Sequence, residues 1–209
     1  MKNQAFTDNT IKHVQTAYGE SALSIPDWVQ GTGNIALAKL IINKKISKSK
    51  VLDIGCGYGQ NAIMLATNHF DVTGIDIMPE AINRAKLLAN LYGLDINFVE
   101  GDVLELPFED ETFDIVNDTF VFHNIKPENR DLFAKNIYNV LKNNGLYIMV
   151  EFSDRMSSGS GPIRLTSKDI IHTFDKYLSC EHLEYIENFP TIKRPDQIHW
   201  FSIWRKKNL

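Results

Sequence analysis

The sequence contains only two cysteines, Cys56 and Cys180, and their spacing is not that of a metal-binding motif. Neither a disulfide framework nor a metal site is indicated, and we expect a metal-free protein from a reducing compartment. The N-terminal residues lack the apolar segment of a signal peptide, and no apolar run is long enough to span a bilayer. We therefore expect a soluble, cytoplasmic protein without a membrane partner.

A surplus of positive charge is also lacking. The 209 residues include 22 Lys and Arg against 26 Asp and Glu, which gives a formal net charge of −4. This balance argues against a broad nucleic-acid-binding surface, and we expect no nucleic-acid partner. Internal repeats and low-complexity tracts are absent, and a 44% hydrophobic content can fill the core of one α/β domain.

The most informative segment is 51–59, which reads Val-Leu-Asp-Ile-Gly-Cys-Gly-Tyr-Gly. A short apolar run of this kind is typical of a strand buried on both faces. The glycines that follow permit positive φ and a close approach of the backbone to a ligand. A helical pattern begins directly afterwards, so the segment predicts a small-molecule site at the carboxyl end of a parallel strand.

Two features of this Gly-rich turn bear on the class of the ligand. A dinucleotide fingerprint places its last glycine one position later, where this chain has Gln60. Asp53 lies two residues before the first glycine, and its carboxylate would repel a pyrophosphate but attract a sulfonium and an ammonium group. The run resembles the first motif of class I S-adenosylmethionine-dependent methyltransferases, D/E-x-G-x-G-x-G. An NAD-dependent oxidoreductase is the alternative that both features disfavour.

Hydrophobic periodicity and the positions of Pro and Gly predict alternating strands and helices. The predicted strands are 51–54, 71–75, 96–100, 113–117, 146–152, 180–187 and 198–205. The predicted helices are 10–18, 34–46, 60–68, 80–92, 128–142 and 167–176. This alternation indicates an α/β fold with a mostly parallel sheet and helices on both faces. The methyltransferase resemblance, which covers residues 34–205, implies a Rossmann-like, seven-stranded sheet with an antiparallel last strand.

The resemblance also divides the chain into two parts within one domain. Residues 1–33 are expected to form an N-terminal cap that closes over the cofactor, with Tyr18 and Trp28 in it. Residues 34–209 are expected to form the domain that binds S-adenosylmethionine. The alternative for Trp28 is that it only packs the N-terminal segment against the core.

Acids stand at the ends of the second and third predicted strands. A carboxylate at Asp76 can accept both ribose hydroxyls of a nucleoside, although an acid at a helix N-terminus is its structural alternative. The resemblance implies that Asp102 binds the adenine amino group and that the backbone N–H of Val103 binds a ring nitrogen. A turn-capping role is the alternative for Asp102. Ile77 would pack on the adenine face, and ordinary core packing explains it equally well.

The resemblance assigns two further acids to the methionine part of the cofactor. Asp53 would lie near its ammonium group, or would only organise the turn, and Asp118 would approach the same part from the end of the fourth strand. The predicted cofactor-binding residues are Asp53, Gly55, Cys56, Gly57, Asp76, Ile77, Asp102, Val103 and Asp118.

Residues 113–125 resemble the F-D-x-x-x-D-R-G-x-F-H-H-I stretch of thiopurine-methyltransferase-like and related small-molecule methyltransferases. The chain departs from that pattern at Thr119, Phe120 and Asn124. The resemblance implies that Phe122 and His123 face the methyl acceptor, and we assign Phe152 to the same region. His123 is a candidate general base because the pKa of histidine lies near working pH. The alternative is a histidine that bonds locally and shapes the pocket.

Two motifs of nucleic-acid methylation are missing, namely Asn/Asp-Pro-Pro-Tyr after the fourth strand and a Pro-Cys nucleophile. We therefore expect methyl transfer from S-adenosylmethionine to an O, N or S atom of a small molecule by in-line displacement, with S-adenosylhomocysteine as product and no metal. A non-catalytic nucleotide- or S-adenosylmethionine-binding protein remains an alternative on the same fold. The oligomeric state is open between monomer and homodimer.

Overall fold

The computed structural model describes residues 31–156, 162–187 and 197–209, together with Thr16. One sheet contains the strands β1 Lys50–Ile54, β2 Asp71–Asp76, β3 Asn97–Glu100, β4 Phe113–Thr119, β5 Leu141–Phe152, β6 Leu178–Glu187 and β7 Ile198–Lys206. The α-helices are α1 Ile35–Ile42, α2 Gln60–Thr67, α3 Pro79–Leu91, α4 Arg130–Val140 and α5 Ser167–Phe174. Short 3₁₀ helices occupy Phe122–Asn124 and Pro127–Asn129.

The seven strands are arranged in the order β3-β2-β1-β4-β5-β7-β6. Strands β1 to β5 are parallel to one another, and β7 runs antiparallel to both β5 and β6. This topology confirms the predicted Rossmann-like, mostly parallel sheet with an antiparallel last strand. The strand order reverses at β1, and ligands of open α/β sheets bind at such a switch point, outside the carboxyl ends of the strands.

Helices cover both faces of the sheet, as predicted. Leu52 of β1 packs in an apolar cluster with Phe133 of α4 and Phe174 of α5. Its neighbour Val51 packs on the other face, in a cluster that includes Leu37 of α1 and residues of α2 and α3. Side chains alternate between the faces along a strand, so a central strand with helices on both sides has an apolar residue at almost every position.

The largest departure from the predicted elements lies between α4 and β5. The sequence predicts a helix to residue 142 and a strand from 146, whereas α4 ends at Val140 and β5 begins at Leu141. Phe113 of β4 pairs with Leu141, and the next pair in this ladder is Ile115 with Leu146, so the register shifts between them. Local sequence could not predict this, because the pairing partner lies almost thirty residues earlier in the chain.

Two predicted features lie almost entirely outside the described residues, namely the helix at 10–18, of which only Thr16 is described, and the cap at 1–33 with Tyr18 and Trp28. Helix α1 begins at Ile35 and is capped by Asn34, whose side chain accepts a hydrogen bond from the N–H of Ala36 at 2.9 Å. Across the described ranges, every helix is too short or too polar to cross a membrane.

Candidate active site

The Gly-rich turn connects the carboxyl end of β1 to α2. Gly55, Gly57 and Gly59 have φ values of +56°, +54° and +80°, in the left-handed region that side chains disfavour. At Gly55 a side chain would collide with Val121, which follows β4. At Gly59 a Cβ atom would lie 2.9 Å from the ring of Phe98. The glycines therefore allow the turn to pack tightly against the ends of the neighbouring strands.

Asp53 lies in β1, two residues before the first glycine of this turn, and is 1% exposed. Its Oδ1 accepts a hydrogen bond from Nδ2 of Asn117 at 2.7 Å, whereas its buried Oδ2 has no partner in the part of the chain that the structure describes. Burial raises the pKa of Asp53 to about 7, and the bond from Asn117 and the nearby backbone N–H of Ala62 offset only part of this effect. A buried oxygen of this kind would be satisfied by a cationic group of a ligand.

Asp76 ends β2 and fastens the Gly-rich turn to it. Its Oδ2 accepts the N–H of Gly57 at 2.8 Å, and its Oδ1 accepts the N–H of Met78 at 2.9 Å. Burial raises the pKa of Asp76, and these two bonds oppose the rise. Each carboxylate oxygen can accept a second hydrogen bond, so Asp76 can hold the turn and still bind a hydroxyl. Ile77 is half-buried and packs against Tyr58 and its neighbours.

Asp102 follows β3 and caps the turn there. Its Oδ1 accepts the N–H of Leu104 at 2.9 Å, and its partial burial raises the pKa of the carboxyl. The N–H of Gly101 donates to the backbone carbonyl of Asp76 at 3.0 Å, which joins the ends of β3 and β2. Val103 is 3% exposed. Asp102 therefore caps the turn through Oδ1, as the structural alternative expects. Its Oδ2 can still accept a hydrogen bond from a ligand.

The strand order brings these three acids into one row. Asp53, Asp76 and Asp102 lie at the carboxyl ends of β1, β2 and β3, which are adjacent and parallel in the sheet. Proceeding from β1 towards β3, they follow the order in which the sequence predicts contacts with the methionine, ribose and adenine parts of one ligand.

Cys56 has a structural position within the turn. Its N–H donates to the carbonyl of Ile75 at 3.0 Å, and its side chain is buried. A Cβ atom at Gly74 of β2 would lie 3.0 Å from its Sγ atom, so the thiol fills the space above that glycine. Burial raises the pKa of the thiol well above its ordinary value, which disfavours a nucleophilic role.

The structure places the Asp118 side chain in the interior, with both carboxyl oxygens engaged by the protein. Asp118 is fully buried, its Oδ1 accepts the N–H of Val121 at 3.0 Å, and its Oδ2 accepts the hydroxyl of Tyr147 at 2.7 Å. Successive side chains of a strand point to opposite faces, so Asp118 cannot share the face of Asn117, which bonds to the first acid of the row. Burial, with the nearby charge of Glu151, raises the pKa of Asp118 well above its ordinary value.

The structure also places the ring of Phe122 in the interior. This ring is fully buried in the core, 5.6 Å from the ring of Phe133 and 4.9 Å from that of Phe174 between centroids. The guanidinium of Arg130 lies 5.2 Å from its centroid. The 3₁₀ helix after β4 turns Phe122 towards α4 and α5, so it supports the site by packing and does not face an acceptor.

His123 and Phe152 do come together, and two further rings join them. We call Phe120, His123, Phe152 and His199 the ring cluster. The rings of His123 and Phe152 are 4.3 Å apart between centroids, and the ring of Phe120 lies 5.5 Å from that of Phe152 and 5.0 Å from that of His199. The cluster occupies the carboxyl ends of β4 and β5 and the adjacent start of β7. Sequence reasoning missed Phe120 and His199.

Phe120 has an unusual backbone conformation. Its φ is +71°, where a non-glycine residue costs on the order of 1–3 kcal/mol, and such a conformation persists only when the surroundings impose it. Its N–H donates to the carbonyl of Val150 at 3.0 Å, and its ring packs in the ring cluster. The small-molecule methyltransferase pattern has glycine at this position, so the strain could have been anticipated from the sequence.

Sequence reasoning also missed Glu151, which is fully buried near the end of β5. Its Oε1 accepts the N–H groups of Val121 and Phe122, each at 3.0 Å, and its Oε2 accepts that of His123 at 3.1 Å. The same Oε2 contacts Nδ1 of the His123 ring. Burial raises the pKa of Glu151 to about 7, and the backbone bonds restrain the rise. A lone acid within the apolar run 147–152 was the available signal, because a buried charge requires partners.

Comparison with known proteins identifies similar sequences. A family model described as a methyltransferase domain matches residues 51–145. An uncharacterized methyltransferase of Synechocystis sp. is 32% identical over 102 residues, which are 49% of this chain and 46% of that protein. Thiocyanate methyltransferase 1 of Brassica oleracea is 28% identical over 155 residues, which are 70% of this chain and 67% of that protein. The chain thus spans about half the length of the Synechocystis relative.

Solved structures share the fold. The N-methyltransferase NodS of Bradyrhizobium japonicum, solved with S-adenosyl-L-homocysteine, superposes with a TM-score of 0.76 at 19% sequence identity. The superposition covers 96% of this chain and 100% of that chain. The segment matched by the family model contains the Gly-rich turn, Asp76, Asp102 and His123.

Proposed function

Because this chain belongs to the class I methyltransferases, with a methyltransferase domain at residues 51–145 and the fold of that class, we propose that it methylates a small molecule with S-adenosylmethionine as donor. One observation carries the proposal. Asp53 presents a buried carboxyl oxygen that has no partner in the described chain, at the switch point of the sheet and beside a tightly packed Gly-rich turn. That oxygen suits the ammonium group of the donor and disfavours a pyrophosphate.

The residues of the acid row fit the rest of the donor. Asp76 would accept the ribose hydroxyls, while Asp102 and the N–H of Val103 would bind the adenine and Ile77 would pack on its face. The backbone of Gly55, Cys56 and Gly57 would line the methionine part. When bound, the donor supplies an electrophilic methyl carbon on a sulfonium that leaves as a neutral thioether.

The chain's own contribution is mainly alignment, because the leaving group is already good. Holding two reactants in line can lower a barrier by roughly 7–11 kcal/mol. We propose that the ring cluster borders the acceptor, with His123 as the candidate base and Phe152 beside it. We further propose that residues 1–33, with Tyr18 and Trp28, cap a domain formed by 34–209. The acceptor atom would be O, N or S, and the chain would act as a monomer or homodimer.

Two other functions compete with this proposal. An NAD-dependent oxidoreductase would share the fold, but Asp53 lies where a pyrophosphate would pass and Gln60 stands where its fingerprint has glycine. A non-catalytic protein that binds S-adenosylmethionine or another nucleotide would share the site, and turnover separates it from an enzyme.

Titration calorimetry with S-adenosylmethionine, S-adenosylhomocysteine and NAD tests the proposal. We expect both sulfur ligands to bind and NAD not to bind. Asp53→Asn should weaken the binding of both sulfur ligands, whereas Asp71→Asn, an exposed acid at the start of β2, should leave it unchanged. Binding of NAD without either sulfur ligand would overturn the proposal. A screen of small-molecule acceptors that reads S-adenosylhomocysteine release then tests for catalysis.

A further inference from the structure

A second buried acid contacts the ring cluster and has no part in the proposed function so far. Glu151 is fully buried, and its Oε2 contacts Nδ1 of His123 while both oxygens accept backbone N–H groups of residues 121–123. The carboxyl therefore holds the 3₁₀ helix after β4 and the imidazole of that helix at the same time.

Glu151 shares its buried surroundings with Asp118, and two carboxylates in such a place do not both ionise readily. Glu151 accepts the N–H groups of Phe122 and His123 and shares the N–H of Val121 with Asp118, whose only unshared donor within the described residues is the hydroxyl of Tyr147. The larger number of donors favours the charge on Glu151. The pKa values agree in direction, since that of Asp118 is raised well above its ordinary value and that of Glu151 only to about 7.

An ionised Glu151 determines where the His123 ring carries its proton. Nδ1 lies in contact with the carboxylate, and the N–H of Phe152 points to the same nitrogen at the longer distance of 3.4 Å. The carboxylate is the closer and charged neighbour, so Nδ1 donates to it and the lone pair of the neutral ring lies on Nε2. This is the tautomer that a general base requires when a carboxylate orients it.

We propose that Glu151 is a positioning residue that makes His123 a general base, and that the methyl acceptor accordingly carries a proton that it must lose, as a hydroxyl, thiol or amine N–H does. The proposal rests on the proposed methyltransferase function. In the step, the acceptor atom forms its bond to the methyl carbon while its proton passes to Nε2 of His123. The electron pair of the broken carbon–sulfur bond stays on sulfur, and the positive charge that the sulfonium loses appears on the imidazolium, beside the carboxylate of Glu151.

Glu151 could hold only the backbone of residues 121–123, or it could also set the tautomer of His123. The Glu151→Gln variant separates these two roles. Glutamine keeps the volume and one carbonyl oxygen for the N–H groups of Val121 and Phe122. Its NH₂ group takes the place of Oε2, where it loses the bond from the N–H of His123 and faces the ring. An NH₂ group donates, so it would favour a lone pair on Nδ1 and the proton on Nε2. The variant therefore reverses the tautomer of His123 with little change in packing.

Nitrogen-15 NMR of histidine-labelled protein reads this tautomer without any acceptor or donor. We assign the His123 signals by their loss in His123→Ala, and use Glu128→Gln, an exposed acid of the next 3₁₀ helix, as the matched control. The wild-type protein and Glu128→Gln should show neutral His123 with its proton on Nδ1, and Glu151→Gln should show the proton on Nε2. A wild-type ring with its proton on Nε2 would overturn the proposal, whether or not the Glu151 variant folds.

Turnover gives the second readout, with catechol and thiophenol as acceptors that carry a proton and iodide and thiocyanate as acceptors that do not. We expect S-adenosylhomocysteine release from the first pair to fall by about 10²–10⁴-fold in Glu151→Gln. Efficient methylation of iodide or thiocyanate, at the same rate in both proteins, would refute the proposal and leave the methyltransferase function standing. Calorimetry with S-adenosylhomocysteine on the same samples tests the methyltransferase function separately. If the wild-type protein does not bind this ligand, the proposed function itself is overturned.

Discussion

Asn117 of β4 donates a hydrogen bond of 2.7 Å to Oδ1 of Asp53, its direct partner across the parallel pair of β1 and β4. The bond orients the buried carboxyl, with one oxygen engaged by the sheet and the other without a partner in the described chain. A strand that looks like ordinary core in sequence thus contributes a residue that prepares the neighbouring strand for a ligand.

The first prediction concerns the pH dependence of ligand binding at Asp53. A cationic ligand group favours the carboxylate, and the pKa of Asp53 is raised from 3.8 to about 7. The affinity for S-adenosylhomocysteine should therefore rise by about tenfold per pH unit well below the pKa and level off above it. Calorimetry between pH 5 and about 8.5 measures the slope. Asp53→Asn should bind more weakly and flatten the profile, and an equal slope in both proteins would contradict the assignment.

The same pKa has an opposite consequence for the stability of the ligand-free protein. Folded Asp53 keeps its proton up to about pH 7, whereas the unfolded chain loses it near 3.8. The folded state binds more protons in this window, so the contribution of Asp53 to the free energy of unfolding falls as pH rises from 3.8 to about 7 and is constant above. Urea denaturation at several pH values across this range measures the free energy of unfolding. This free energy should fall less with rising pH in Asp53→Asn than in the wild-type protein.

The third prediction concerns Asp76. Asp76→Ala should weaken the binding of S-adenosylhomocysteine by about tenfold or more, which corresponds to one or two hydrogen bonds to a charged acceptor. Because Asp76 also accepts the N–H groups of Gly57 and Met78, Asp76→Asn is a second variant that keeps one acceptor oxygen. Asp71→Ala, at the exposed start of the same strand, is the control. An unchanged dissociation constant in both Asp76 variants would remove this residue from the site.

The fourth prediction concerns the close packing of the Gly-rich turn. Gly55→Ala places a methyl group against Val121 at a φ of +56° and should reduce the free energy of unfolding by more than about 2 kcal/mol. Gly93→Ala, at a φ of +64° with no neighbour within 4 Å, should lose only about 1 kcal/mol. Combining Gly55→Ala with Val121→Ala should recover part of the loss. Equal losses of unfolding free energy in Gly55→Ala and Gly93→Ala would show that backbone strain alone, without the contact with Val121, destabilises the variants.

The fifth prediction concerns the backbone of Phe120. Phe120→Gly and Phe120→Ala lose the same ring contacts. Glycine adopts a φ of +71° without strain, whereas alanine does not. Phe120→Gly should therefore be more stable than Phe120→Ala by about 1 kcal/mol, the reverse of their usual order in regular structure. Chemical denaturation of the two variants measures the difference, and an alanine variant as stable as the glycine variant would show that this conformation relaxes on substitution.

Much of the fold was predictable because its signals are local. The apolar run before the Gly-rich turn, the proline that opens α3 and the acids that end β2 and β3 each lie within a few residues of the element that they define. The boundary of β5 was not predictable in this way, since Leu141 becomes a strand residue through pairing with Phe113. The cap residues Tyr18 and Trp28 lie outside the described chain and stay predictions.

The sequence by itself determined the fold class, the switch-point strand with Asp53, and the row of acids along the parallel edge, because chain order and strand periodicity suffice to place them. Only the tertiary structure decided which buried groups meet. It directed Asp118 away from the face of Asp53, buried Phe122 in the core, and joined Glu151 to His123 from strands that are distant in sequence. Contacts between separate strands depend on register and on the geometry of the connecting turns, which no local pattern records.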